Sequence, residues 1–321
     1  MWRYILRRLL SSIPVIVLVS MLTFVGQQLI PGDPLLAILG ANEVEALEGL
    51  DPAQMDALRT QYGLDQPVIV QYAKYAWRCL QGDFGRSFRT RKPVLEAIGE
   101  RLNVTLKLSI ITFTVNTVIA LALGTIAALY RGTKIDLFAT AWAVMGVATP
   151  GFWVAILLII VFSVNLGWLP AAGWVDPFED PIDGIKHLIL PVVSLGLFGS
   201  ATIMRQTRSS LIEVLRQDYI TTARAKGLAA RRVILRHALK NAMLPVVTVL
   251  GLSLAGLFGG SVLIERVFAI PGVGRLALDA TNSRDYPVIQ AIVLMAAIVI
   301  VVANLITDIM YAYLDPRIRF R

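Results

Sequence analysis

Six apolar runs in this chain are each long enough to cross a bilayer, and none carries an Asp, Glu, Lys, Arg or His. They are Leu9–Ile30, Leu108–Leu129, Leu137–Val164, Leu188–Met204, Leu244–Ile264 and Val288–Ile306. A helix needs about 20 apolar residues to cross roughly 30 Å of hydrocarbon. In that medium every backbone polar group must be bonded within its own segment, so such runs have to be helices. The fold class that follows is an all-α membrane protein with six transmembrane helices. Leu188–Met204 is the shortest run, and Leu137–Val164 is long enough to tilt or to kink at Pro150. Composition agrees: 56% of residues are hydrophobic and 16% charged, against about 25% charged in a soluble domain.

The first run follows Arg3, Arg7 and Arg8, as the core of a secretion signal does. It is longer than such cores, and Pro31-Gly32-Asp33-Pro34 follows it rather than a small-residue cleavage site. It reads as an uncleaved anchor. Arg131 and Lys134 separate the second and third runs. The stretch Arg205–Pro245 holds nine Lys/Arg against two Asp/Glu, and the tail carries Arg317, Arg319 and Arg321. The loop after the third run instead carries Asp176, Glu179, Asp180 and Asp183. Basic loops stay in the cytoplasm, so both termini and Arg205–Pro245 are expected there. The net charge of +8 follows from this alternation and does not call for nucleic acid.

Three regions are expected: an anchor span (1–30), an extracytoplasmic loop region (31–101) and a five-span core (102–321) with a cytoplasmic loop at about 205–245. The loop region holds helix signals. Asp51-Pro52 reads as a cap and first turn, with Gly63 as a stop. Pro67 opens a second helix with Ile69, Tyr72, Ala76 and Cys79 on one face, ending near Gly82. Cys79 reads as a small packing residue.

Motifs for chemistry within the chain are missing. No G-x-x-x-x-G-K-[ST] occurs, so the chain has no phosphate-cradling loop of its own. Gly272-Val273-Gly274 lacks strand–turn–helix context and reads, like Pro31–Pro34, as a turn-former. One cysteine and two distant histidines, His187 and His237, make no metal site. Nor is there a catalytic constellation. A carrier driven by protons or ions needs an intramembrane acid or histidine. The nearest, Asp308, falls at the end of the sixth run. Asn103, Ser109 and Asn116 either line a polar path or bond neighbouring helices.

The segment Asp218–Val247, DYITTARAKGLAARRVILRHALKNAMLPVV, stands apart. Ile234, Leu235, Ala238, Leu239 and Ala242 recur at helical spacing opposite Arg231, Arg232 and Lys240. Gly227 breaks the helical pattern before them. The segment predicts helix, sharp corner, helix. An amphipathic helix lying on anionic membrane lipid explains the charge, but not the small residues at the corner.

This segment resembles the "EAA" loop of ABC importer permeases. Aligned on Gly227, Thr221-Thr222-Ala223 stand at the E-A-A positions, and Ala223, Gly227 and Leu239 match the general pattern. The variant DYI-x-TARAKGL with RHALKNAMLPVVT is similar to the dipeptide/oligopeptide/nickel subfamily. RYILRRLL, LIPGDP, YGLDQP, GDFGRSF, ATPGFW, ERVFAIPGVGRL and RDYPV extend the similarity over almost the whole chain.

The resemblance implies a B-type permease subunit with the type I importer fold, in the inner membrane of a prokaryote. It implies a second, C-type permease, two cytoplasmic ABC ATPases that hydrolyse ATP with Mg, and an extracytoplasmic binding protein. The chain itself is then no enzyme and binds no cofactor. Asp218, Tyr219, Ala223, Arg224, Ala225, Lys226, Gly227 and Leu228 are implied as the ATPase-coupling contact. Peptides are the implied cargo, with nickel chelates, glutathione, opines or sugars as alternatives. A stand-alone carrier is the rival class, which the charge-free spans and the corner segment disfavour.

Overall fold

The computed structural model describes residues 2–29, 51–61 and 64–314. Pro31–Pro34, Gly63 and the basic tail lie outside the described residues. The chain runs through α1 (Trp2–Gln28), α2 (Pro52–Gln61), α3 (Val68–Leu80), α4 (Val94–Leu129), α5 (Lys134–Ala148) and α6 (Gly151–Leu158). A π-helical stretch, Ile159–Asn165, prolongs α6. Then come α7 (Pro181–Val214), α8 (Asp218–Ala225), α9 (Leu239–Val267), α10 (Val273–Asn282) and α11 (Tyr286–Leu314).

Five helical stretches are long and apolar enough to cross a membrane, and α5 with α6 make a sixth if that bent pair counts as one span. The third span is therefore broken through 107° rather than tilted. Pro150 lacks the N–H that a continuous helix needs, and Thr149 before it is extended at ψ 126. Gly151 then lies so close to α7 that a Cβ there would sit 2.9 Å from the Ser194 carbonyl oxygen.

The shortest apolar run sits inside the most deeply packed helix. Over half of the apolar window of α7 is buried. Its start is fixed by Pro181 in the first turn and by the Asp180 carboxylate, which accepts from the Asp183 N–H at 3.1 Å. Asp and Pro at these positions satisfy or dispense with otherwise unpaired N–H groups. The shared core joins Ala120 and Ala127 of α4, Ala143 of α5, Met204 of α7, and Val246 and Leu250 of α9. Small residues let the backbones approach where lipid supplies no hydrophobic drive. Asn116 bonds neighbouring helices: its Nδ2 donates to Val192 O of α7 at 3.2 Å and to Thr112 O at 2.9 Å. Asn103 is exposed, and Ser109 is buried with no hydrogen-bond partner for its Oγ.

At the end of the bundle that carries the first long loop, α2 begins at Pro52 with Asp51 ahead of it. The Asp51 N–H donates to Gln54 Oε1 at 3.2 Å, and the Asp51 carbonyl accepts from Gln54 and Met55. Helix α3 follows Pro67 and stops before Gly82, which has φ +82. Its packed face is Tyr72, Tyr75, Ala76 and Cys79; Ile69 is exposed. That corrects the expected face. The positions 72, 75, 76 and 79 follow helical spacing, and the reason is α1. Phe24 stacks on Tyr75, and the Tyr72 hydroxyl bonds Ser20 Oγ at 2.8 Å.

The segment from Leu166 to Asp180 is held by an ion pair between Lys107 of α4 and Asp176, with the Phe178 ring 5.4 Å from the ammonium. The Lys107 ammonium, then the Phe178 N–H, hold the Asp176 carboxyl below the ordinary carboxylate range. A carboxyl whose folded pKa is lowered adds stability above its unfolded value, about 4, and that stability is lost as pH falls through the folded value. Hydrogen exchange of residues 173–187, corrected for intrinsic rate, is expected to show protection at about pH 6 that fades below about pH 4. Lys107→Met is expected to lack that protection at both. Equal wild-type protection at both pH values overturns the assignment.

Candidate functional site

The opposite end of the bundle carries one protruding element. Helix α7 runs well past its apolar part to Val214, so the stretch after Arg205 is helix and not loop. Three residues then lead into α8. The helix closes when the Gly227 N–H donates to Arg224 O at 2.9 Å and Leu228 N–H reaches Ala223 O at 3.4 Å. Gly227 has φ +72, the left-handed value that ends helices and that side chains resist. The chain then re-enters through Ala230–Arg232 and the π-helical Val233–Ala238, directly into α9. Helix, corner, helix is what forms.

The buried side of this knuckle is apolar and small. Ile220 and Ala223 pack with Leu211 of α7, Val233, Ala238 and Ala242 of the return arm, and Ala128 of α4. Ala223, implied as a contact residue, thus turns inward against its own chain, and Leu228 is half-buried. Asp218, Tyr219, Arg224, Ala225, Lys226 and Gly227 are exposed together. The apolar spacing of the return arm also differs from expectation. Leu235 is exposed, whereas Val233, Ala238 and Ala242 are buried. A π turn takes more residues per turn than an α turn, so the inward face steps by five from Val233 to Ala238.

One polar tie fixes the knuckle to α9, and another braces α7, from which it hangs, against α5. Asn241 Nδ2 donates to the Tyr219 hydroxyl at 2.9 Å and to His237 O at 3.1 Å. Arg208 of α7 grips Asp136 of α5 with two bonds, 2.5 and 2.8 Å, and Asp136 also accepts from the Gly132 N–H. Bidentate pairs of this kind fix orientation as well as distance. The exposed rim offers two cations, a carboxylate, a phenol and bare backbone. Helix α8 is joined to α7 through Leu215–Gln217 and to α9 through the return arm.

A second polar constellation, unread in the sequence, lies at the far end. Glu265 is wholly buried at the end of α9. Thr105 Oγ1 donates to it at 2.8 Å and itself accepts from the Val273 N–H at 2.8 Å; the Arg275 N–H donates to the other carboxylate oxygen at 3.0 Å. Gly272 and Gly274 are not mere turn-formers: a Cβ on Gly272 would lie 2.3 Å from Glu265 Cδ. The signal was present, because Glu265 is the sole acid between Asp218 and Asp279. Asp285, also buried, accepts from Ser87 Oγ at 2.5 Å and from the Phe88 N–H at 2.9 Å. It binds the GDFGRSF segment to the start of α11. Asp308 is paired with Arg8, joining the last span to the first.

A helical bundle of five or six spans, with an exposed small-residue knuckle rooted in two of them, defines the class of multi-span permease subunits. The comparisons agree. Residues 120–320 match the model of the binding-protein-dependent transport system inner membrane component, and residues 1–109 match the N-terminal model of the same membrane component. The chain belongs to this family of ABC importer permeases.

Among relatives, a Brucella abortus protein named as a peptide transport system permease is 42% identical over 316 residues, 98% of each chain. A glutathione transport system permease protein of Salmonella typhimurium is 42% identical over 322 residues, 100% of each chain. In fold, the chain is similar to the inward-facing MetNI methionine ABC transporter, with TM-score 0.56 and 18% identity over 69% of this chain and 97% of that one. It is also similar to an amino acid ABC transporter, with TM-score 0.53 and 15% identity over 68% and 94%.

Proposed function

We propose that this chain is a permease subunit of an ATP-driven importer for short peptides, glutathione-like tripeptides included, in the inner membrane of a prokaryote. It works beside a second permease, two cytoplasmic ATPases and an extracytoplasmic binding protein. The observation that carries the reading is the knuckle: an exposed small-residue corner rooted in α7 and α9, on a chain with no phosphate-binding motif of its own. The basic side chains on that end favour the cytoplasm, which leaves α2, α3 and α10 outside. Asp218, Tyr219, Arg224, Ala225, Lys226 and Gly227 meet the ATPase; Ala223 and Leu228 hold them in place from behind. The peptide cargo rests on the names of the relatives and on their near-complete coverage. Smaller assignments follow from the same reading: this chain hydrolyses nothing, and ATP and Mg belong to the partners.

The test is purification and reconstitution. The tagged chain, expressed with its neighbouring reading frames, is expected to co-elute with ATPase subunits and to take up labelled di- and tripeptides only with ATP. ATP-independent flux by the isolated chain sinks the reading. It leaves the stand-alone carrier.

A further inference from the structure

The largest cavity among the described pockets, about 1470 Å³, lies between the first and last spans and the α2–α3 cap. Typical small-ligand sites hold roughly 300–1,000 Å³, so a short peptide and its water fit. Five of the chain's ten glutamines line it: Gln27, Gln28, Gln66, Gln71 and Gln290. They come from α1, from the approach to α3, from α3 and from α11, elements far apart in sequence. Four of the side-chain amides are paired, and Gln71 also reaches the Gln66 backbone carbonyl. Gln290 Nε2 donates to Gln27 Oε1 at 2.7 Å, Gln28 Nε2 to Gln71 Oε1 at 3.3 Å, and Gln71 Nε2 to Gln66 O at 2.8 Å.

The network is incomplete at two points. Gln27 Nε2 and Gln66 Oε1 are buried with no hydrogen-bond partner. One is a donor and the other an acceptor. Both atoms are covered, so a ligand in the cavity meets the other polar atoms of the glutamines that line its wall. Carboxamides present to a ligand what a peptide backbone presents to its neighbours. The walls add charges of both signs, five Lys/Arg side chains against Asp56, Asp65 and Asp83, and the Tyr75 and Tyr286 rings. A short peptide with free termini offers both amide groups and both charges. A sugar offers no charge, and an anion alone leaves the carboxylates Asp56, Asp65 and Asp83 of the wall unmatched. The wall at Ser87 and Phe88 is held by the Asp285 clasp described above.

We infer that this glutamine-lined cavity is a binding site for short zwitterionic peptides within the permease chain itself. The inference rests on the proposed function only for its orientation, which turns the cavity outward as a holding place before passage.

The test uses the whole complex in lipid nanodiscs, without the binding protein. The probe is a tripeptide with free termini and a diazirine-bearing leucine. Saturable labelling is expected on fragments containing Gln27 or Gln66–Arg78. Unlabelled tripeptide competes, and an N-acetylated, C-amidated tripeptide competes about tenfold less well, the loss of one or more charge-assisted bonds. Gln66→Leu, whose Oε1 has no partner to strand, is expected to reduce labelling severalfold while the complex assembles. Gln27→Leu with Gln290→Leu removes both members of one bonded pair and is expected to do the same. Labelling that is absent from these fragments, does not saturate, or is unchanged in both variants overturns the site. Uptake is scored separately. Transport without cavity labelling rejects this site and keeps the importer; cavity labelling without peptide uptake keeps the site and rejects the importer.

Discussion

Gly227→Asp is expected to abolish peptide uptake, and the stimulation of ATP hydrolysis that accompanies it, while the permease still folds and inserts. Nothing lies within 4 Å of the position a Cβ would occupy at Gly227. A new side chain there therefore meets no atom of its own chain. The remaining internal cost is backbone strain at φ +72, about 1–2 kcal/mol for an L-residue in the left-handed region and less for Asp. That does not unfold a six-span bundle. The loss must arise at a surface outside the chain, where bulk and negative charge meet the partner that docks on the corner. Gly167→Asp is the control. Its φ is +65, and its surroundings are equally open, so it carries the same strain at a position away from the knuckle. Reconstituted complexes are compared for uptake, for ATPase stimulation and for retention of ATPase subunits on gel filtration. A fall of at least tenfold in uptake for Gly227→Asp, with Gly167→Asp near wild type, is the expected pattern, equivalent to about 1.4 kcal/mol of lost coupling. Equal effects in the two variants assign the loss to strain and remove the knuckle from the mechanism.

The other large effect is expected at Glu265. Glu265→Leu leaves the Thr105 hydroxyl and the Arg275 N–H without their acceptor in a buried place. Each stranded group costs about 1–3 kcal/mol. Glu265→Gln keeps one acceptor oxygen but turns an amide donor toward one of two donors, so it is expected to fall between Leu and wild type. Gly272→Ala attacks the same contact from the other side, because its Cβ overlaps the carboxylate. Helix α10 and the turn before it are the part that depends on this clasp. Hydrogen exchange is expected to rise across residues 268–284 in all three variants and to stay unchanged in the α4–α7 core. A uniform rise over the whole bundle, or none, contradicts the clasp.

The spans were legible because hydrocarbon forces backbone groups to pair locally, and a long apolar run without charge has few other fates. The corner at Gly227 was legible for a related reason: a lone glycine between two helical patterns has a local cause. Features that depend on distant partners were not. Gly272 and Gly274 read as turn residues because the carboxylate they accommodate is seven and nine residues upstream and meets them only after the chain doubles back. Tyr75 displaced Ile69 from the packed face of α3 because Phe24 of α1 waits there. The third span read as tilted or kinked at Pro150; the 107° break there is the kink, and its size goes with the close approach of Gly151 to α7. Ala223, implied as part of a contact with a partner, packs within its own chain against Leu211, Val233 and Ala238, because small size serves burial as well as docking.

The π-helical stretch between the knuckle and α9 has a consequence for how such a protein changes over generations. An α-helix advances by about 100° per residue, and a π turn is an α turn with one residue to spare. Removing a single residue from Val233–Ala238 restores the α geometry and leaves the knuckle on nearly the same side of α9, whereas the same loss from the α-helical part of the arm turns it by about 100°. The π stretch is thus the slack in the arm, the one place where a codon can be lost without turning the corner away from its neighbour.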